Sequence, residues 1–165
     1  MKAKKLALCG LLTALALVLS YLESLVPLSF SVPGVKLGLP NLAILFALYK
    51  LGFKAAAVIS LVRVLLVSLL FGNVFSLAYS AAGAALALAI MGLLRRSGRF
   101  GTAGVSVAGA VAHNVGQILV AMAVLETGAI AAYLPVLLLS GTLAGVCIGL
   151  VSAVLIRRVR IPGEG

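Results

Sequence analysis

Three polar residues interrupt a long apolar stretch in the second half of the sequence, VAHNVGQ at 111–117. His113, Asn114 and Gln117 offer an imidazole and two amides, groups that bind anions and carbonyl oxygens. A polar group without a partner in an apolar environment costs about 2–7 kcal/mol. On a helix, His113 and Gln117 share one face at i and i+4, with Asn114 beside Gln117. The stretch therefore predicts a polar surface that needs a partner.

A charged residue, Arg63, lies within a second apolar stretch. An arginine at the centre of a bilayer costs about 2.5–3.5 kcal/mol, so we expect it to face the interior of a helix bundle. Each of the two helices begins just after basic residues. Along the helix axis, Arg63 and His113 both lie roughly 15 Å from the beginning of their own helix, so we expect them at similar depth in the membrane. One interpretation is a pocket for a small anionic or carbonyl-rich solute, with Arg63 as a bidentate anchor. The other is a structural hydrogen-bond network between two helices.

Other polar residues are expected toward the outer side of the membrane. Asn41 follows Pro40 at the start of a helix and is predicted at the mouth of the pocket. Glu23 ends the first apolar stretch, about 10 Å or more above Arg63 along the membrane normal. We expect an outer gate or accessory role for four residues, Glu23, Lys36, Asn73 and Tyr79.

The composition indicates an integral membrane protein. Of 165 residues, 64% are hydrophobic and only 10% are charged, and the mean hydropathy is +1.30. Soluble domains carry about 25% charged residues. The net charge of +10 would suggest nucleic-acid binding in a soluble protein, but here the basic residues flank apolar spans. Membrane topology accounts for them, and we expect no nucleic-acid partner.

We take residues 1–165 as one transmembrane domain. Breaks that contain Gly, Pro or polar residues divide it into six predicted membrane helices. Their approximate limits are 6–26, 37–50, 54–71, 75–94, 103–125 and 131–156. With both termini in the cytoplasm, every basic residue except Lys36 and Arg63 falls on the inner side, as the positive-inside rule requires. The fold class is therefore an all-α bundle, in which the second span is the shortest.

Several kinds of catalysis are excluded by missing residue types. No glycine-rich loop is followed by Lys-Ser or Lys-Thr, so the chain should not hydrolyse nucleotides. The only acids are Glu23, Glu126 and Glu164, and without aspartate they do not form a carboxylate site for magnesium diphosphate. We expect no enzyme activity, no metal and no cofactor in this chain.

Small residues repeat at helical spacing in the last and first spans. Gly141, Gly145 and Gly149 form a stripe that lets helix backbones approach closely. The first span carries small residues near its predicted cytoplasmic end. They could pack inside the bundle or form a docking surface for another membrane protein, and the sequence leaves both alternatives open. These residues are Ala3, Ala7, Gly10 and Ala14.

Three stretches, in this order, resemble a known bacterial family: PGVKLGLPN at 33–41, LVRVLLVSLLFGN at 61–73 and AGAVAHNVGQ at 108–117. The resemblance is to the Gx transporter family, also labelled heptaprenyl diphosphate synthase component I. That family in turn resembles the substrate-binding S components of energy-coupling factor (ECF) transporters. Arg63, His113, Asn114 and Gln117 match its polar signature.

The resemblance implies a protein of the bacterial cytoplasmic membrane that captures a solute from outside. A transmembrane T component and two cytoplasmic ATPase subunits would drive release inward, with ATP hydrolysed by those partners. The small residues of the first span would dock to the T component. The second family label implies an alternative, a non-catalytic membrane partner of a soluble prenyl diphosphate synthase. An autonomous secondary transporter is disfavoured, because no intramembrane carboxylate at the depth of His113 is predicted for ion coupling.

Overall fold

The computed structural model describes residues 2–26 and 37–161, and all its regular elements in these ranges are helical. Six α-helices follow one another, and a short 3-10 helix, Gly128–Tyr133, precedes the last. The helices are α1 (Lys2–Leu25), α2 (Pro40–Lys50), α3 (Phe53–Phe71), α4 (Val74–Ser97), α5 (Thr102–Val124) and α6 (Leu134–Arg158).

Five of these helices, all except α2, are long and apolar enough to cross a membrane. They also expose large apolar side chains on their outer surfaces; Leu6 of α1 is 75% exposed and Leu69 of α3 is 78% exposed. Such surfaces suit lipid rather than water. The protein is therefore an all-helical, multi-pass membrane protein. Six spans with both termini in the cytoplasm remain a prediction from the charge pattern.

Helix α2 differs from the others in both length and burial. Its 11 residues rise about 16 Å, roughly half of a bilayer core. It begins at Pro40 rather than near residue 37, because Gly38 adopts a φ of +72° and the proline ring occupies the first helical turn. Ala43 to Leu48 are all buried. The predicted short second span is thus a core helix, surrounded by its neighbours.

Helices α4, α5 and α6 pack closely through glycine. A Cβ on Gly116 of α5 would lie 2.9 Å from the carbonyl oxygen of Ala82 in α4. On the opposite side of α5, a Cβ on Gly145 of α6 would lie 2.7 Å from Cα of Val107. These backbones approach too closely for any larger residue. The stripe of Gly141, Gly145 and Gly149 therefore packs on α5, as its spacing predicts.

Helix α1 packs more loosely, against α2 and α3. Leu12 and Ala16 are buried on one face, while Leu11, Leu15 and Val18 on other faces are exposed. Because α1 contributes few buried residues, its position depends on a narrow apolar seam and on the hydrogen bond between Glu23 and Gly38 near its C-terminal end.

Candidate functional site

All six helices contribute to one cavity of about 340 Å³. This volume lies at the small end of the range of roughly 300–1,000 Å³ that ligand pockets show. Five of the polar residues singled out in the sequence line it: Glu23, Asn41, Arg63, His113 and Asn114. The folded chain thus brings together side chains that lie up to 91 positions apart in the sequence.

Arg63 enters the cavity from α3. Its Nε atom is buried and has no hydrogen-bond partner among the described residues. A buried guanidinium nitrogen without an acceptor is costly, because its N–H has lost water and gained no hydrogen bond in exchange. Among the described residues that line the cavity, Arg63 is the one with a buried polar side-chain atom that lacks a hydrogen-bond partner.

Glu23 enters the same cavity from the end of α1. Its Oε1 accepts a hydrogen bond of 2.5 Å from the backbone N–H of Gly38, just before α2. The carboxylate also attracts the Arg63 guanidinium electrostatically, although no ion pair within 4.0 Å joins these two described residues. From the sequence, Glu23 is expected well above Arg63. The structure instead makes it a second charged group of the same cavity, with its carboxylate bonded to the backbone just before α2.

Asn41 and His113 line the cavity from α2 and α5. Asn41 is half-buried in the first turn of α2, and its backbone N–H donates to the carbonyl oxygen of Gly38 at 2.9 Å. The His113 ring lies against Gly83 of α4, where an added Cβ would be 3.0 Å from Cε1. Gly83 thus leaves the space that the imidazole occupies at the cavity wall.

Asn114 and Gln117 differ from the arrangement that the sequence predicts. Asn114 Nδ2 donates a hydrogen bond of 2.6 Å to the carbonyl oxygen of Leu137 in α6, so its amide already binds the bundle. Gln117 is absent from the cavity wall, and its Cγ packs toward Gly83 of α4. The prediction of one joint polar surface therefore applies to His113 and, in part, to Asn114. It does not extend to Gln117.

The residues predicted as an outer gate have separate locations. Asn73 is exposed and caps α4, since its Oδ1 accepts the Ser76 N–H at 2.8 Å. Tyr79 is half-buried on α4 and lies outside the cavity wall. Lys36 lies outside the described residues. Of the four residues, Glu23 is the one that the structure places in the cavity.

Four serines also line the cavity and were missed from the sequence. They are arranged as two i, i+4 pairs, Ser20 and Ser24 on α1 and Ser76 and Ser80 on α4. Ser20 and Ser24 donate to carbonyl oxygens of their own helix, at 2.8 and 2.6 Å. The i, i+4 spacing was the available signal, because it places each pair on one helical face. Serine is common in membrane helices, however, so this spacing alone does not distinguish a cavity wall.

A second, shallower groove of about 750 Å³ lies where α2 ends, α3 begins and α4 ends. Phe53 and Leu93 form apolar walls, and Arg95 and Arg96 lie at its edge. Arg95 is held in place, since its guanidinium donates to the Tyr49 carbonyl oxygen at 3.0 Å and stacks over the Tyr49 ring. The groove combines an apolar surface with positive charge on the predicted cytoplasmic side.

The four small residues predicted for docking all lie exposed on α1. A Cβ added to Gly10 would meet no atom within 4 Å. In the described structure these small side chains lie on the surface of the bundle and not in a contact between its helices, and docking through them stays a prediction. The members of this α1 stripe are Ala3, Ala7, Gly10 and Ala14.

These features define a multi-pass helical membrane protein with a small polar cavity at the centre of its bundle. The family model for heptaprenyl diphosphate synthase component I matches residues 12–155, and the chain belongs to this family. Comparison with curated proteins and with solved structures gives no significant match. Within the described residues, no group of three or more His, Cys, Asp or Glu side chains is arranged to hold a metal ion.

Proposed function

We propose that this protein binds a small polar solute in the six-helix cavity, as the solute-binding subunit of an ATP-driven uptake system. In this proposal it resembles the S component of an ECF transporter, located in a bacterial cytoplasmic membrane. The chain itself performs no catalysis and carries no cofactor, and ATP is hydrolysed by partner subunits.

The observation that carries the proposal is the unsatisfied Arg63 at the cavity wall. A purely structural network would use the guanidinium to hold helices together, and the Nε atom has no acceptor for that purpose among the described residues. Asn114 is already bonded to α6, and Gln117 packs toward α4, so these amides do not assemble around Arg63. A solute that offers acceptor oxygens would supply the missing hydrogen bonds.

The α1 stripe provides a surface for the partner subunit in this proposal. Small exposed residues on a membrane helix let another helix approach closely, which favours association by van der Waals packing. We assign this surface to a membrane T component, which would in turn bind the ATPase subunits. Contact through α1 leaves the glycine-packed helices α4 to α6 undisturbed.

The test is native mass spectrometry of the protein purified gently from its own membrane, comparing wild type with Arg63→Ala. We expect wild type to retain a small molecule that the variant binds about 10- to 100-fold more weakly, the loss expected for one or two hydrogen bonds to a charged group. Arg99→Ala is the matched control, because Arg99 is exposed and lies outside both the cavity and the groove beside Arg95. Equal retention by wild type and Arg63→Ala would contradict the proposal.

A second candidate function is favoured by the description of the family. A membrane partner of a soluble prenyl diphosphate synthase would recruit that enzyme to the cytoplasmic face, and the groove beside Arg95 and Arg96 offers an apolar, positively charged surface there. The metal site would then belong to the recruited enzyme. This function gives the central cavity no role, so Arg63 would be dispensable for it.

Proteins that co-purify distinguish the two functions. A membrane subunit together with ATPases supports the uptake proposal and identifies the T component. A soluble synthase that co-purifies in their place, with no small molecule retained, supports the second function.

A further inference from the structure

The cavity contains two opposite charges that do not neutralise each other by direct contact. Arg63 and Glu23 both line it, and no ion pair within 4.0 Å joins these described residues. One Glu23 oxygen is occupied by the Gly38 N–H, while Arg63 Nε has no partner in the described part of the chain. The other ionisable group among the described lining residues is His113.

These positions restrict the charge of a bound solute. A simple anion that binds Arg63 would bring a second negative charge toward Glu23, and in a low-dielectric cavity this repulsion is poorly screened. A simple cation that binds Glu23 would meet the same difficulty at Arg63. Counting histidine as neutral, the formal charges of the described lining residues sum to zero, which matches a solute whose own charges also sum to zero.

We propose that the cavity selects a small zwitterion, with its acidic group at Arg63 and its cationic group at Glu23. This inference rests on the proposed function and narrows the solute from anionic or carbonyl-rich compounds in general. It excludes diphosphates, since one guanidinium beside a carboxylate does not balance several negative charges. The cavity volume of about 340 Å³ also favours a small molecule.

The experiment measures retention from a defined mixture of matched triads. Each triad shares one carbon skeleton as an amino acid, the corresponding carboxylic acid and the corresponding amine, for example phenylalanine, 3-phenylpropionate and 2-phenylethylamine. Protein in detergent is equilibrated with the mixture and separated by gel filtration, and retained compounds are identified by mass spectrometry. Protein purified from the native membrane is measured in parallel. Any compound that co-purifies with it is identified by mass spectrometry and assigned as a zwitterion, an anion or a cation.

We expect wild type to retain a zwitterion at least about tenfold more strongly than the matching acid or amine, because both charges are then balanced. Glu23→Gln removes the negative charge but keeps a carbonyl oxygen for the Gly38 N–H, so the fold should be preserved. In this variant the preference should move to the carboxylic acid. Glu126→Gln is the matched control, since Glu126 is exposed and lies outside the cavity.

Two outcomes would overturn the inference, and they are distinguishable. Strongest retention of simple acids by wild type, unchanged in Glu23→Gln, would show an anion site and leave the proposed function intact. Retention of no compound by wild type, from either the mixture or the native membrane, would reject the proposed function and the zwitterion together. Variants are compared only when their elution volumes match that of wild type.

Discussion

The two halves of the bundle use small and polar residues in different ways. In α4 to α6, glycines bring backbones into contact, and Asn114 adds a hydrogen bond between α5 and α6. In α1 to α3, Gly38 and Gly52 have φ values of +72° and +92°, and nothing would obstruct a Cβ at either position. Glycine thus brings backbones together between α4, α5 and α6, whereas at both ends of α2, and at Gly98 after α4, it provides a left-handed backbone conformation.

The two charged side chains that line the cavity in the described structure come from helices outside the glycine-packed group α4 to α6. Glu23 and Arg63 come from α1 and α3, whereas α4 to α6 contribute serines, His113 and Asn114. The cavity therefore has a wall of closely packed backbones from α4 to α6 opposite a wall that carries its carboxylate and guanidinium groups. The comparison predicts that changes in α4 to α6 mainly reduce stability, and that changes at Glu23 and Arg63 mainly alter binding.

The largest effect on stability is expected for Gly145→Ala. The added Cβ would lie 2.7 Å from Cα of Val107, and a backbone atom cannot rotate away as a side chain can. We expect a loss of about 3 kcal/mol in the free energy of unfolding, the upper part of the range for overpacking. Titration with sodium dodecyl sulfate in mixed micelles measures this quantity. Gly10→Ala is the control, since its Cβ meets no atom within 4 Å and alanine favours the helix.

An intermediate effect is expected for Asn114→Leu, which removes the hydrogen bond to the Leu137 carbonyl oxygen. Hydrogen bonds between membrane helices contribute about 0.6 kcal/mol on average and up to about 1.7 kcal/mol. We expect a loss of about 1 kcal/mol in the same titration, with a smaller reduction in solute retention than Arg63→Ala produces. If Asn114→Leu abolished solute retention at unchanged stability, Asn114 would take part in binding. The prediction that changes in α4 to α6 mainly reduce stability would then be wrong.

The smallest effect is expected for Gln117→Leu. Gln117 lies outside the cavity wall and packs toward α4, so leucine preserves most of its apolar contact. We expect retention within about twofold of wild type and a change in the free energy of unfolding within roughly 0.5 kcal/mol. Native mass spectrometry and the detergent titration test both values. If Gln117→Leu lost as much retention as Arg63→Ala, Gln117 would contribute to solute binding after all.

The sequence identifies the class of protein because hydropathy and charge act locally. A helix that faces lipid must satisfy its backbone internally and present apolar side chains, so each long apolar stretch can be recognised without knowledge of its neighbours. The same local reasoning identifies Arg63 and His113, since a polar residue at membrane depth requires a partner. It also predicts the close approach at Gly145, because the spacing of small residues is a property of one helix.

The partners of those residues depend on distances between helices, which no single segment contains. Gln117 and His113 share a helical face and both pack against Gly83 of α4, yet of the two it is His113 that lines the cavity. Glu23 lines the same cavity as Arg63, with its carboxylate bonded to the backbone N–H of Gly38 just before α2, fifteen positions further along the chain. The sequence by itself determined a helical membrane protein with buried polar residues. Only the tertiary structure decided which of them share a cavity, because that choice depends on how six helices pack together.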